Sequence, residues 1–173
     1  MSYAAFVASR FKAFPDNPAL TLHHATTGMV GEWIELLDAD SEANVREELG
    51  DFEFYLEALI QTMGWRIPFP LPLSGPFPEP SRRILILAGE LLDKTKKYWV
   101  YEKPVAAQED LVPLVTDLYN ALAVFYHICH LDRDAILAEN VAKLEKRYPS
   151  GYSNAAAIAR ADKGDEHATP QTN

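Results

Sequence analysis

The sequence predicts an all-α protein, an antiparallel helical bundle carrying a proline-rich insertion. Three observations lead there. Apolar residues recur at helical spacing through several long segments, and no segment reads as a convincing strand. Prolines and capping residues fall between those segments, where helices stop and start. Two consecutive segments each carry carboxylates three residues apart, Glu32 with Glu35 and Glu48 with Asp51, and such pairs share one face of a helix.

Residues 2–14 read as a short amphipathic helix with Phe6, Val7, Phe11 and Phe14 near one side, ended by Pro15 and Pro18. A second helix is expected over about 19–37. Asp40 or Ser41 can cap a third, which runs to about residue 63 with Glu42, Glu47 and Glu48 in its early turns, at the positive end of the helix dipole. Six prolines between 65 and 80 forbid a helix. That stretch is too apolar for a solvated linker, so an extended loop lying against the helices or another subunit is expected. Ser81 is expected to cap a helix to residue 98 or 100. A long apolar helix follows over 109–130, with Pro113 tolerated in its first turn. Another spans 132–147 and stops before Pro149, and residues 154–161 add a turn or two. One domain over 1–163 and a polar, frayed tail over 164–173 complete the expected organisation.

At 173 residues the chain can bury a sizeable core, and its 48% hydrophobic and 24% charged residues are ordinary for a globular protein. The net charge of −9 argues against nucleic acid and anionic membrane surfaces as partners. No secretory signal is visible in residues 1–14, and no apolar run is long enough to span a bilayer. A single cysteine, Cys129, allows no intramolecular disulfide and points to a reduced, cytoplasmic compartment. It sits in an apolar run and reads as inert packing; His127 and His130 beside it read as packing or surface residues.

The acidic pairs carry the chemistry. Two helices packed antiparallel would aim Glu32, Glu35, Glu48 and Asp51 at one point. Left alone, four carboxylates repel one another and raise each other's pKa. A hard divalent cation such as Mg²⁺ removes that cost and takes oxygen ligands readily. Apolar residues among the acids (Trp33, Leu36, Leu49, Phe52) give these helices sides to bury, while Gly31 and Gly50 suggest close helix approach or room for a ligand. A weak internal repeat is also visible. G-E-W-I-E-L at 31–36 matches G-E-L-L-D-K at 89–94, and residues 48–55 match 114–121, with Leu114 in place of Glu48.

These residues resemble the MazG-like all-α nucleoside triphosphate pyrophosphohydrolases. The family's E-x-x-E, spacer, E-x-x-D signature falls on Glu32, Glu35, Glu48 and Asp51, with twelve residues between Glu35 and Glu48. His24 in H-A-T-T-G precedes it, Tyr55 follows it, and E-N-V-A-K-L-E-K-R-Y-P-S-G-Y-S at 139–153 is similar to the family's ending. The likeness covers roughly 20–60 and 136–160; the proline-rich insertion departs from compact members. It implies hydrolysis of a nucleoside triphosphate to monophosphate and pyrophosphate. It further implies two or more Mg²⁺ (or Mn²⁺) ions on the four acids, Glu35 or Glu47 taking the proton of the attacking water, and a homodimer or homotetramer. His24, Tyr55, Asn140, Lys143, Arg147 and Tyr148 are the implied substrate contacts. Lys143 and Arg147 share a helix face and suit a phosphate clamp; paired instead with Glu139 and Glu145, they would be an ordinary solvated face.

Rival readings separate by spacing. A di-iron bundle wants Glu-x-x-His motifs, and no glutamate here has histidine three residues later. A His-Asp phosphohydrolase needs a His-Asp dipeptide, which is absent. A nucleotide-binding or scaffold protein without turnover, and a phosphoribosyl-ATP pyrophosphohydrolase-like enzyme, remain as alternatives on the same residues.

Overall fold

A computed structural model describes residues 1–69, 79–102 and 110–162. Among these residues there are seven helices and no strand: α1 (Tyr3–Arg10), α2 (Pro18–Leu37), α3 (Glu42–Thr62), α4 (Pro80–Val100), α5 (Val112–Ile128), α6 (Arg133–Arg147) and α7 (Asn154–Ala159). The all-α expectation holds. The tail from 164, residues 70–78 of the proline-rich stretch and Glu109 lie outside the described residues.

Side-chain pairs fix the directions of the helices. Gly28 meets Tyr55 while Trp33 meets Phe52, so α2 and α3 run antiparallel. Thr26 bonds Thr95 and the Trp33 indole N–H donates to the Ser81 carbonyl, so α2 and α4 also run antiparallel. Arg83 with Asp117 and Lys94 with Asp110 set α5 antiparallel to α4. Arg133 with Glu53 and Arg46 with Glu139 do the same for α6 on α3. Trp33, fully buried, lies edge-on between Phe52 and Phe125 at 5.1 and 5.2 Å, and this contact joins three helices at the centre of the core.

The repeat seen in the sequence has a counterpart in burial. Met29 and Leu87, Trp33 and Leu91, Leu49 and Val115, Phe52 and Leu118, Leu56 and Leu122 occupy matched positions, and every one of these residues is fully buried.

Several expected boundaries move, each for a local reason. The first helix ends at Arg10 rather than residue 14. Residues 11–14 give their backbone groups to α2 instead: Thr21 Oγ1 accepts from the Phe14 N–H, and His24 Nδ1 bonds the Lys12 carbonyl at 3.0 Å. Ser41, not Asp40, caps α3, while the Asp40 carboxylate accepts from the Asn44 side chain. Ser81 is not the cap of α4; Pro80 starts that helix after Glu79, whose φ of 56° sets the turn. α5 ends at Ile128, leaving Cys129 exposed, which corrects the expectation of a packed thiol. Residues 65–69 do lie against the helices, with Phe69 on Tyr119 at 5.3 Å. Among the described residues no single helix is long and apolar enough to cross a membrane; α5 and α6 reach that length only together, across a 101° bend.

Candidate metal centre and adjoining cleft

Three of the four signature acids converge. Glu32 from α2 and Glu48 and Asp51 from α3 each offer an oxygen within 4.8 Å of the others. The helices bring them together because Trp33 and Phe52, each next to a signature acid, lock the two apolar sides. Glu35 is exposed and stands with Glu47 on the wall of the same acidic cleft, outside the group of three.

The electrostatics are those of a crowded anionic site. Burial, then the charges of Asp51, Glu35 and Glu48, push the Glu32 carboxyl up to about 8. Burial and Asp51 raise Glu48 as well, and the two glutamates share a hydrogen bond, with Glu32 as the protonated donor. Three oxygen ligands and no soft donor suit a hard divalent cation, so the residues present fit Mg²⁺ or Mn²⁺.

A raised folded-state pKa means that the folded protein holds a proton the unfolded chain has released. The resulting stability is full below the ordinary carboxylate range and is lost as pH rises towards about 8. With EDTA present, urea stability is therefore expected to fall between pH 5 and 8, by about 1–3 kcal/mol attributable to Glu32. Mg²⁺ should restore it, and Glu32→Gln should flatten the profile. A Gln variant with an unchanged slope would disprove Glu32 as the group that holds this proton.

Asp51 is the most constrained acid. Asn140 Nδ2 donates to Asp51 Oδ1 at 2.7 Å, and Lys143 Nζ donates to Asp51 Oδ2. Lys143 also reaches Glu47 at 3.3 Å. Asn140, only 3% exposed, accepts in turn from the Tyr3 hydroxyl at 3.1 Å. Asn140, expected as a substrate contact, here orients an acid: its amide holds Asp51. Its Cβ lies 3.0 Å from where a Cβ on Gly50 would stand, so Gly50 is the close approach that lets α6 reach Asp51. Gly31, by contrast, has open space beside it, and Gly28 supplies a close approach the sequence reading passed over: a Cβ there would stand 2.5 Å from the Tyr55 ring.

The local pairing of Lys143 and Arg147 with Glu139 and Glu145 does not form. Glu139 takes Arg46 at 2.6 Å, Lys143 turns to α3, and Arg147 Nε and Nη2 both donate to Asp162, Nε at 2.6 Å.

Beyond the acids the cleft becomes aromatic. Phe11, His24, Phe54, Tyr55, Tyr148 and Tyr152 line this half, and Glu32, Asp51, Arg147 and Ala157 border both halves. His24 stacks on Phe11 with ring centres 4.9 Å apart and meets Tyr55 edge-on. A carbonyl can only accept, so His24 Nδ1–H donates to Lys12 O; burial lowers the pKa of the ring and favours its neutral form. The expected contacts His24, Tyr55, Arg147 and Tyr148 therefore meet in one place. Trp33 is core, and Trp65 lies elsewhere, beside Gln61 and Ile67. His127 and His130 are exposed.

Lys12, Tyr152 and Arg160 also line this cleft, Asp162 reaches it through Arg147, and all four were missed. Tyr152 sits in the Y-P-S-G-Y ending already singled out; the other three carry no spacing signal. In the second half, two of the three matched acids are paired with cations: Asp93 with Lys96 and Lys97, Asp117 with Arg83 at 3.1 Å. No protein-family model, curated protein or solved structure matches the chain.

Proposed function

We propose that the chain is a divalent-metal-dependent nucleoside triphosphate pyrophosphohydrolase, releasing pyrophosphate and leaving the monophosphate. One observation carries the reading: a three-carboxylate centre opens directly into an aromatic compartment, and Glu32, Asp51 and Arg147 belong to both. A molecule with an oligophosphate at one end and a flat ring at the other matches that division. The resemblance to the MazG-like signature, on the same residues, is the second support.

Glu32, Glu48 and Asp51 would hold the metal, with Glu35 at the exposed edge able to extend the set. Bound there, Mg²⁺ supplies charge neutralisation of the phosphates and acidification of a water. Glu35 and Glu47 flank the centre and would serve as the general base, accepting a proton from the attacking water as the α–β bridge breaks and pyrophosphate leaves. Asn140 keeps the Asp51 carboxylate in one orientation. Arg147 presents a two-pronged donor suited to phosphate. Tyr55, Tyr148 and the neutral His24 ring form apolar faces for a base and exclude water beside the phosphates. The remaining choices of the likeness, a homodimer or homotetramer and a cytoplasmic setting, belong to this proposal.

A second reading has its own observation. Asp51 is already neutralised by Lys143, and Arg147 by Asp162, as in a protein that binds nucleotide without turning it over. Pyrophosphate release from the eight common ribo- and deoxynucleoside triphosphates, with Mg²⁺ and with EDTA, separates the two. Metal-dependent release of pyrophosphate plus monophosphate is expected. Thermal stabilisation by nucleotide without release would favour the binding protein, and neither effect would sink both.

Lys143→Ala sharpens the assignment. The ammonium competes with a cation for Asp51, so Mn²⁺ affinity is expected to hold or rise, while KM rises on the order of tenfold once the phosphate contact that the likeness implies for Lys143 is removed. Calorimetry with Mn²⁺ checks it; lost metal binding would make Lys143 a strut of the acidic centre instead.

A further inference from the structure

We propose that residues 151–162 form an autoinhibitory strap, in which the Asp162 carboxylate occupies the place on Arg147 that a substrate phosphate takes. The inference rests on reading the cleft as a phosphate site.

Two features of the strap bear on this. The first is its path. α6 stops at Arg147, and Gly151, at φ 96°, turns the chain back, with Ser9 O only 3.3 Å from where a Cβ would stand. Ser153 then caps α7, and Arg160, at φ 44°, ends it. This course lays Tyr152 along the aromatic half of the cleft, Arg160 along the acidic half, and Ala157 along both.

The second is the terminal contact. The Asp162 side chain is 1% exposed and the Arg147 side chain 14%. Both Asp162 oxygens are engaged, Oδ1 by Nε and Oδ2 by Nη2. That parallel two-bond geometry is the one a guanidinium offers to two oxygens of a phosphate. Arg147 borders both halves of the cleft, so its fork is the cation best placed for an oligophosphate, yet it is filled by the chain itself. A buried guanidinium cannot be left without a counter-anion. An incoming phosphate can therefore take the Nε–Nη2 edge of Arg147 only as Asp162 leaves, and the strap that lines the cleft moves with it. The device keeps the cleft narrow and its cation neutralised until a ligand with enough negative charge arrives, and it sets a threshold against singly charged anions.

Inorganic tripolyphosphate with Mg²⁺ is the probe, because its binding needs no turnover. In calorimetry, Asp162→Asn is expected to bind it five- to twentyfold more tightly than the unaltered chain. Arg147→Ala should weaken binding, and adding Asp162→Asn to Arg147→Ala should give no gain. In hydrogen exchange on the unaltered chain, the amides of α7 should lose protection when tripolyphosphate is added. Equal or weaker binding by Asp162→Asn, with the helical circular dichroism kept, would overturn the strap, as would α7 amides that become better protected on binding. Should Asp162→Asn fail to fold, the exchange measurement on the unaltered chain decides alone. Tripolyphosphate binding through Arg147 in a chain that releases no pyrophosphate would defeat the proposed reaction and leave the strap standing.

Discussion

Asp51→Asn is expected to reduce pyrophosphate release by at least about 10²–10³-fold, the range found when one group stabilising developing charge is removed, with the helical circular dichroism unchanged. Asp51 stands at the junction of the acidic and aromatic halves and is one of three carboxylates that can share a cation. Asparagine keeps its shape and its acceptor for Asn140, so the fold should lose only about 1 kcal/mol, the scale of one hydrogen bond. It gives up the charge, however, and turns an amide towards either Lys143 or the metal. Mn²⁺ affinity should fall together with turnover. The matched residue in the second half supplies the control. Asp117 has the same position in the repeat but is neutralised by Arg83, so Asp117→Asn should leave turnover unchanged. Full activity in Asp51→Asn would refute the metal centre. Equal losses from both changes would mean that the readout follows stability rather than chemistry.

The acidic centre was legible because its information is local. Spacing of three residues on two adjacent helices, each with an apolar side, fixes which carboxylates face one way whatever else the chain does. Glu35 shows where that argument stops. It shares a face with Glu32, yet one turn further along it is exposed, because depth in the groove depends on how α3 crosses and not on periodicity. Lys143 and Arg147 show the same limit for charge. Local spacing offers them Glu139 and Glu145, but partners far away in sequence win: α3 puts Glu47 and Asp51 beside Lys143, and the turn at Gly151 returns Asp162 to Arg147. Nothing in an alanine-rich polar stretch marks Asp162. The end of α1 was misplaced for a related reason. Residues 11–14 have helical patterning, but Thr21 and His24 claim their backbone groups, and a tertiary hydrogen bond overrides a weak local preference. Cys129 was expected inside because its run is apolar; it falls just past the last turn of α5, where the chain leaves the core.

Arg133→Met is expected to cost about 3–5 kcal/mol of folding stability, the penalty for removing one partner of a buried ion pair. Glu53 is 1% exposed, the only fully buried carboxylate on α3. Arg133 Nε and Nη2 hold its two oxygens at 2.6 and 2.7 Å, and the Tyr126 hydroxyl donates to one of them at 3.1 Å. The guanidinium in turn lies over the Phe69 ring at 4.0 Å. Methionine keeps the stem and its contact with Phe69 but leaves a buried carboxylate with a single phenol for company. For a chain of this size the loss corresponds to a fall in Tm of about 10 °C. The double change, Glu53→Gln with Arg133→Met, should recover more than half of it, because glutamine still accepts from Tyr126 and no charge is stranded. A single variant within about 0.5 kcal/mol of the unaltered chain would show that water reaches Glu53 and that the pair acts like a surface bridge. The site should feel the change less than the fold does. α6 is pinned to α3 at Arg133–Glu53 and again at Arg46–Glu139, and Asn140 and Lys143 meet Asp51 next to the second pin. Well below its melting temperature the single variant should therefore keep most of its Mn²⁺ affinity. If it loses that affinity while still folded, the ion pair sets the register of α6 on α3 and so positions the acidic centre from one end.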